Sequence, residues 1–154
     1  MDAPELREKI RTRKARIGIV GLGYVGLSLA VEFARSGFTV TGVDVDEGRL
    51  EAINSGRSHT IDVPDASLKP LVEEGRLRAV LSFDVLEEMD AISVCVPTPL
   101  RKTKDPDISN IVAATAEITK RLKRGQLIVL ESTTYPGTTE EVMLPELSST
   151  GLKV

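Results

Sequence analysis

Cysteine is almost missing from this sequence: Cys95 stands alone. A single thiol closes no intramolecular disulfide, and no Cys/His cluster offers metal-ligand spacing, so no metal site is expected and a reducing, cytoplasmic setting is the economical reading. Tryptophan is absent, aromatic residues make up 3% of the chain and the net charge is only -3. A nucleic-acid surface needs a basic stripe and usually stacking side chains, so that class of partner is not expected. Long apolar runs are missing too. The stretch from Ile17 to Val31 follows Arg11, Arg13, Lys14 and Arg16 in the manner of a secretory signal, but it carries Gly18, Gly21, Gly23 and Gly26 and stops at Glu32. It has no clear small-residue cleavage site and falls short of the roughly 20 apolar residues of a membrane span. A membrane partner is therefore not expected either.

What is present is enough for one compact domain: 154 residues, 41% of them apolar and 28% charged. A chain of this size buries roughly two thirds of the surface its unfolded form exposes, so it folds without a disulfide or metal. Residues 1–14 place Leu6 and Ile10 at helical spacing among charges, which predicts a short amphipathic arm, read as a solvated appendage. From there to residue 154, short β-rich runs alternate with helical patterns. That alternation predicts an α/β domain: a doubly wound, mainly parallel sheet with helices on both faces.

Strands are expected at 15–20, 38–44, 77–82, 91–96 and 127–131. Helices are expected at 24–36, closed by Gly37; from the cap Asp46 to about Asn54; at 65–74; and over 108–122, where Ile108, Ile111, Val112, Thr115, Ile118 and Leu122 recur at helical spacing before Gly125. Pro70 counts against an ideal helix interior but lies in an early turn. Thr138 and Glu141 have capping-box spacing for a last helix toward Leu147.

The strongest chemical signal is Gly21-Leu22-Gly23-Tyr24-Val25-Gly26, set between a predicted strand and a predicted helix. Gly21 permits a tight turn, Gly23 lets a pyrophosphate approach the backbone, and Gly26 lets the helix pack closely on the sheet. Unpaired N–H groups and the helix dipole at Tyr24 and Val25 favour negative charge there. Asp44 lies 18 residues beyond Gly26, near the roughly 20-residue interval at which a carboxylate accepts hydrogen bonds from the adenosine ribose. It would repel a 2′-phosphate, which selects NAD over NADP, although Arg49 nearby tempers that preference.

The chain resembles the UDP-glucose/GDP-mannose dehydrogenase family in its amino-terminal NAD-binding domain. Four blocks carry the resemblance in order: residues 17–27 (IGIVGLGYVGL), 42–46 (GVDVD) followed by Arg49, 94–99 (VCVPTP) and 131–139 (ESTTYPGTT). The resemblance implies that Arg49 reaches the adenosine or phosphate side; a first-turn surface arginine is the alternative. It also implies that Val96, Pro97 and Thr98 run into the cofactor crevice, and that Ser132 and Thr133 lie near the nicotinamide half. Thr98 is the candidate catalytic residue, since in the family the matching threonine helps position a water near the nicotinamide; a turn threonine between prolines is the alternative. Glu131 departs from the lysine common in UDP-glucose enzymes, and the segment from Arg57 to Leu71 lacks their Glu-Pro-Gly-Leu element. Both departures look like the branch that oxidises UDP-N-acetylhexosamines. Cys95, inside an apolar strand, is read as a buried small hydrophobe, and His59 as a solvated loop residue.

The resemblance implies a whole enzyme that oxidises the C6 alcohol of a nucleotide sugar to a carboxylate, passing two hydrides in turn to two NAD molecules with a cysteine thioester between. This chain is expected to stop before that cysteine and before the sugar-binding domain, so it should bind NAD but turn nothing over. The full-length protein is expected to be a homo-oligomer built largely on a helix beyond this stretch, the chain alone a monomer, and the product a uronate for polysaccharide biosynthesis. Another NAD-dependent dehydrogenase, such as a β-hydroxyacid type, and a non-enzymatic NAD-binding module remain the alternatives.

Overall fold

A computed structural model describes residues 2–102 and 105–152. Its strands are β1 (Arg16–Val20), β2 (Thr39–Val43), β3 (Leu77–Val80), β4 (Ala91–Val94) and β5 (Leu127–Leu130). They form one sheet in the order β3-β2-β1-β4-β5, every neighbour parallel. The helices are α1 (Ala3–Arg11), α2 (Tyr24–Arg35), α3 (Glu47–Asn54), α4 (Asp65–Glu73), α5 (Ser109–Thr119) and α6 (Leu144–Ser148). The order reverses between β1 and β4, which opens a crevice at the carboxyl ends of those two strands.

Strands buried on both faces must be apolar at successive positions, and these are. Ile17, Ile19 and Val40 face one core with Leu27 and Val31 of α2, Leu50 and Ile53 of α3 and Leu68 of α4. Val20, Val43, Ile92 and Val94 face a second core with Ile111 and Ile118 of α5 and Met143 and Leu147 near the carboxyl end. Asp46 caps α3 by accepting the Arg49 amide at 3.0 Å. Pro70 lies in the interior of α4 but on its exposed side, where its ring faces solvent and not the core.

Three expectations need correction. The arm is not a free appendage: Ile10 packs on the first core, and Lys9 Nζ donates to Asp90 Oδ1 at 2.8 Å. The expected capping box at Thr138 and Glu141 does not form. Thr138 Oγ1 donates instead to the Tyr135 carbonyl at 2.9 Å, and the chain enters α6 through a wide π turn over Thr139–Met143. Pro145 accounts for it, because its ring presses on the carbonyl four residues back and it has no N–H to offer. Finally, a 3-10 helix over Phe83–Glu88, with Ser82 Oγ accepting the Asp84 amide, was not foreseen. It is too short to show a period.

Candidate functional site

The crevice is built around the turn from β1 into α2. Gly21 has φ +91, in the left-handed region, and donates its N–H to the Val43 carbonyl at 2.8 Å. A Cβ there would lie 2.7 Å from the Cys95 carbonyl oxygen, while one on Gly26 would overlap the carbonyl oxygen of Gly21. These two glycines let three stretches of backbone cross at the switch point. At Gly23, by contrast, a Cβ would meet nothing within 4 Å. Gly23 is also the cap of α2 and supplies no side chain, so the first amides of the helix point into open space.

Asp44 closes one side of the crevice. Asp44 is 6% exposed, and its carboxylate accepts from the Leu22 amide at 2.7 Å, the Asp46 amide at 3.0 Å and Arg49 Nη1 at 2.9 Å. Burial pushes its pKa up, but the two amides and the guanidinium outweigh that and hold it below the ordinary carboxylate value. Asp44 therefore anchors the glycine turn through Leu22, a role its sequence position did not reveal. His59 is exposed, yet burial of part of its ring and the Arg49 charge lower its pKa, against the opposing pull of Leu22, Asp44 and Asp46. It borders this cluster rather than standing apart in a loop.

The opposite wall comes from the segments leaving β4 and β5. Thr98 Oγ1 donates to the Thr133 carbonyl at 2.6 Å, Ser132 Oγ to the Val96 carbonyl at 2.8 Å, and Asn110 Nδ2 to the Pro97 carbonyl at 2.8 Å. The hydroxyls stitch two strand ends into one rim. With its proton so used, Thr98 Oγ1 keeps lone pairs with which to accept a proton donor from the cleft. Cys95 lies under Gly26, and burial raises its thiol pKa, Ser93 opposing this and the Glu131 charge adding to it. It is a protonated thiol at neutral pH.

A cleft of about 720 Å³ joins the two walls, within the roughly 300–1,000 Å³ of ligand pockets. Gly21, Gly23, Tyr24, Val25, Asp44, Arg49, Val96, Pro97, Thr98, Ser132 and Thr133 all line it; Gly26 does not, being packed beneath the turn. Val45, Phe83, Ala113, Ala114 and Glu117 line it as well and were missed. Ala113 and Ala114 sit in a helical pattern that reads the same whether a side faces core or cleft, and only their small size hinted at room for a ligand. No group of three His, Cys, Asp or Glu residues suited to a metal occurs among the described residues, and none of their helices is long and apolar enough to cross a membrane.

Residues 15–153 match the model of the UDP-glucose/GDP-mannose dehydrogenase family, NAD binding domain. The chain is 41% identical over 132 residues to UDP-N-acetyl-D-glucosamine 6-dehydrogenase of Pseudomonas aeruginosa, covering 86% of this chain and 30% of that protein. It is 37% identical to UDP-N-acetyl-D-mannosamine dehydrogenase of Pyrococcus horikoshii, covering 90% of this chain and 33% of that protein. Among solved structures, a ternary complex of GDP-mannose dehydrogenase from Pseudomonas aeruginosa superposes with a TM-score of 0.85 at 33% identity, over 90% of this chain and 33% of that one. The chain thus spans about a third of the length of the relatives it matches.

Proposed function

The chain belongs to the UDP-glucose/GDP-mannose dehydrogenase family, of which it is the NAD-binding domain, and from that premise we propose how its residues hold the cofactor and what the whole protein does. The uncapped start of α2 at Gly23, open above and facing a cleft of about 720 Å³, carries the reading. An anionic diphosphate there takes the free amides of Tyr24 and Val25 and the positive end of the helix. Asp44 and Arg49 hold the adenosine ribose, with Asp44 keeping the turn in shape through Leu22. Val96, Pro97, Thr98, Ser132 and Thr133 receive the nicotinamide half, where Thr98 Oγ1 positions a water. NAD, when bound, supplies the hydride-accepting ring. Residues 15–154 form the cofactor-binding unit, preceded by the arm of residues 1–14, whose Lys9 and Ile10 dock on it.

The whole protein, in this reading, is a cytoplasmic homo-oligomer that oxidises C6 of a UDP-N-acetylhexosamine to the uronate, an acidic sugar of the kind built into polysaccharides. The relatives with 41% and 37% identity act on sugars of that class by name. This chain by itself binds NAD as a monomer.

Calorimetric titration with NAD and NADP, on the parent and on Asp44→Ala, tests the cofactor assignment. NAD should bind more tightly than NADP, and the substitution should weaken NAD by about ten-fold or more and erase the discrimination, as expected when a charged acceptor of ribose hydroxyls is lost. Equal affinity for both dinucleotides, unchanged by the substitution, would overturn the assignment.

A further inference from the structure

Strand register sets four residues in a row across the crevice. Val20 pairs with Val43 and with Val94, and Val94 pairs with Leu130. One step further along each strand come Asp44, Gly21, Cys95 and Glu131. With strands about 4.8 Å apart, Glu131 stands roughly 10 Å beyond the glycine turn, on the side away from Asp44. A dinucleotide with its diphosphate on the turn and its adenosine ribose at Asp44 must lay its other half toward Glu131.

Three carboxylates line the cleft: Asp44, Glu117 and Glu131. Asp44 is paired with Arg49, and Glu117 with Lys120 and Arg121. Glu131 makes no ion pair within the described residues; its amide donates to the Val94 carbonyl and its side chain is left to the cleft and solvent. An uncompensated negative charge therefore lies at the end where the ring belongs. That ring is a cation when oxidised and neutral when reduced.

We propose that Glu131 makes this site discriminate the redox state of the dinucleotide, favouring NAD over NADH, by setting an unpaired carboxylate against the nicotinamide end of the cleft. The inference rests on the proposed cofactor orientation. It bears on function because two successive hydride transfers require the reduced cofactor to leave and an oxidised one to enter while the sugar stays bound, and a charge that holds the cationic form more tightly than the neutral one favours that exchange.

The test measures the affinities of the chain for NAD and for NADH separately, in the parent, Glu131→Gln and Glu131→Lys, at low and high ionic strength. Glu131→Gln should weaken NAD, leave NADH unchanged and narrow the affinity ratio about five-fold at low salt, with a smaller change at high salt. Glu131→Lys should narrow it further. Because the side chain is exposed, melting temperatures should not move. Binding of both dinucleotides with a ratio that neither variant alters overturns the role of Glu131 alone. Failure of the parent to bind either one overturns the cofactor assignment together with it.

Discussion

At the scale of single residues, the glycines of the β1–α2 turn are not equivalent. A methyl on Gly26 collides with the main chain of Gly21, which cannot move without disturbing its bond to Val43. A methyl on Gly23 meets no protein atom, and the φ of -70 there suits any residue. Gly26→Ala should therefore cost about 3 kcal/mol or more of stability, whereas Gly23→Ala should fold within about 1 kcal/mol of the parent and lose NAD affinity by crowding the diphosphate. Chemical denaturation and titration on both variants check this; a stable Gly26→Ala or a fully binding Gly23→Ala contradicts it. The asymmetry was legible in the spacing of the motif. The grip of Asp44 on the Leu22 amide was not, because a carboxylate 22 positions away reaches that amide only once β1 and β2 are paired.

Among the elements, those read best from sequence are bounded by local chemistry. Asp46 and Asn54 frame α3 as expected, since a cap acts on amides two or three residues away. The last helix runs toward Leu147 as its pattern predicts, but it starts without the capping box, since Pro145 offers no N–H and the chain enters through a π turn. α1 forms where the helical spacing of Leu6 and Ile10 predicts it, and only its reading as a solvated appendage fails, because what holds it is long-range. Asp90 is 8% exposed and takes Lys9 Nζ on one oxygen and the Arg16 amide on the other, each at 2.8 Å, while Arg13 lies 4.9 Å from the centre of the Phe38 ring. Removing residues 2–12 strips Asp90 of its cation and uncovers Ile10's seat on the core. The cost should be about 2 kcal/mol, a fall of roughly 4–8 °C in melting temperature for a chain of this length. NAD affinity should not change, because Arg16 starts β1 and the cleft lies at its far end. A truncated chain that melts with the parent would show that the contact contributes nothing.

On the scale of the whole molecule, the two halves of the cleft are held by different means, and that decides how it responds to ligand. The wall at Asp44 is rooted in the buried row of β1 and β2, whereas the opposite wall depends on three side-chain hydrogen bonds among segments beyond the strand ends. In the proposed orientation NAD contacts both, so its binding energy adds to folding stability by mass action: at about 100 times its Kd it contributes about 2.7 kcal/mol, or roughly 5–11 °C at this chain length. The chain nevertheless lacks a usable nucleophile, since its single cysteine is buried beneath Gly26 with its thiol pKa raised. Incubation with NAD and a panel of UDP-sugars should therefore raise the melting temperature in proportion to the logarithm of NAD concentration while no absorbance of NADH develops. Turnover by way of a thioester would require an activated thiol in the cleft: Asp44 is committed to Leu22, Asp46 and Arg49, and the protons of Thr98 and Ser132 to the Thr133 and Val96 carbonyls, which leaves Glu131 as a free carboxylate, and a carboxylate without an activated thiol does not carry that sequence.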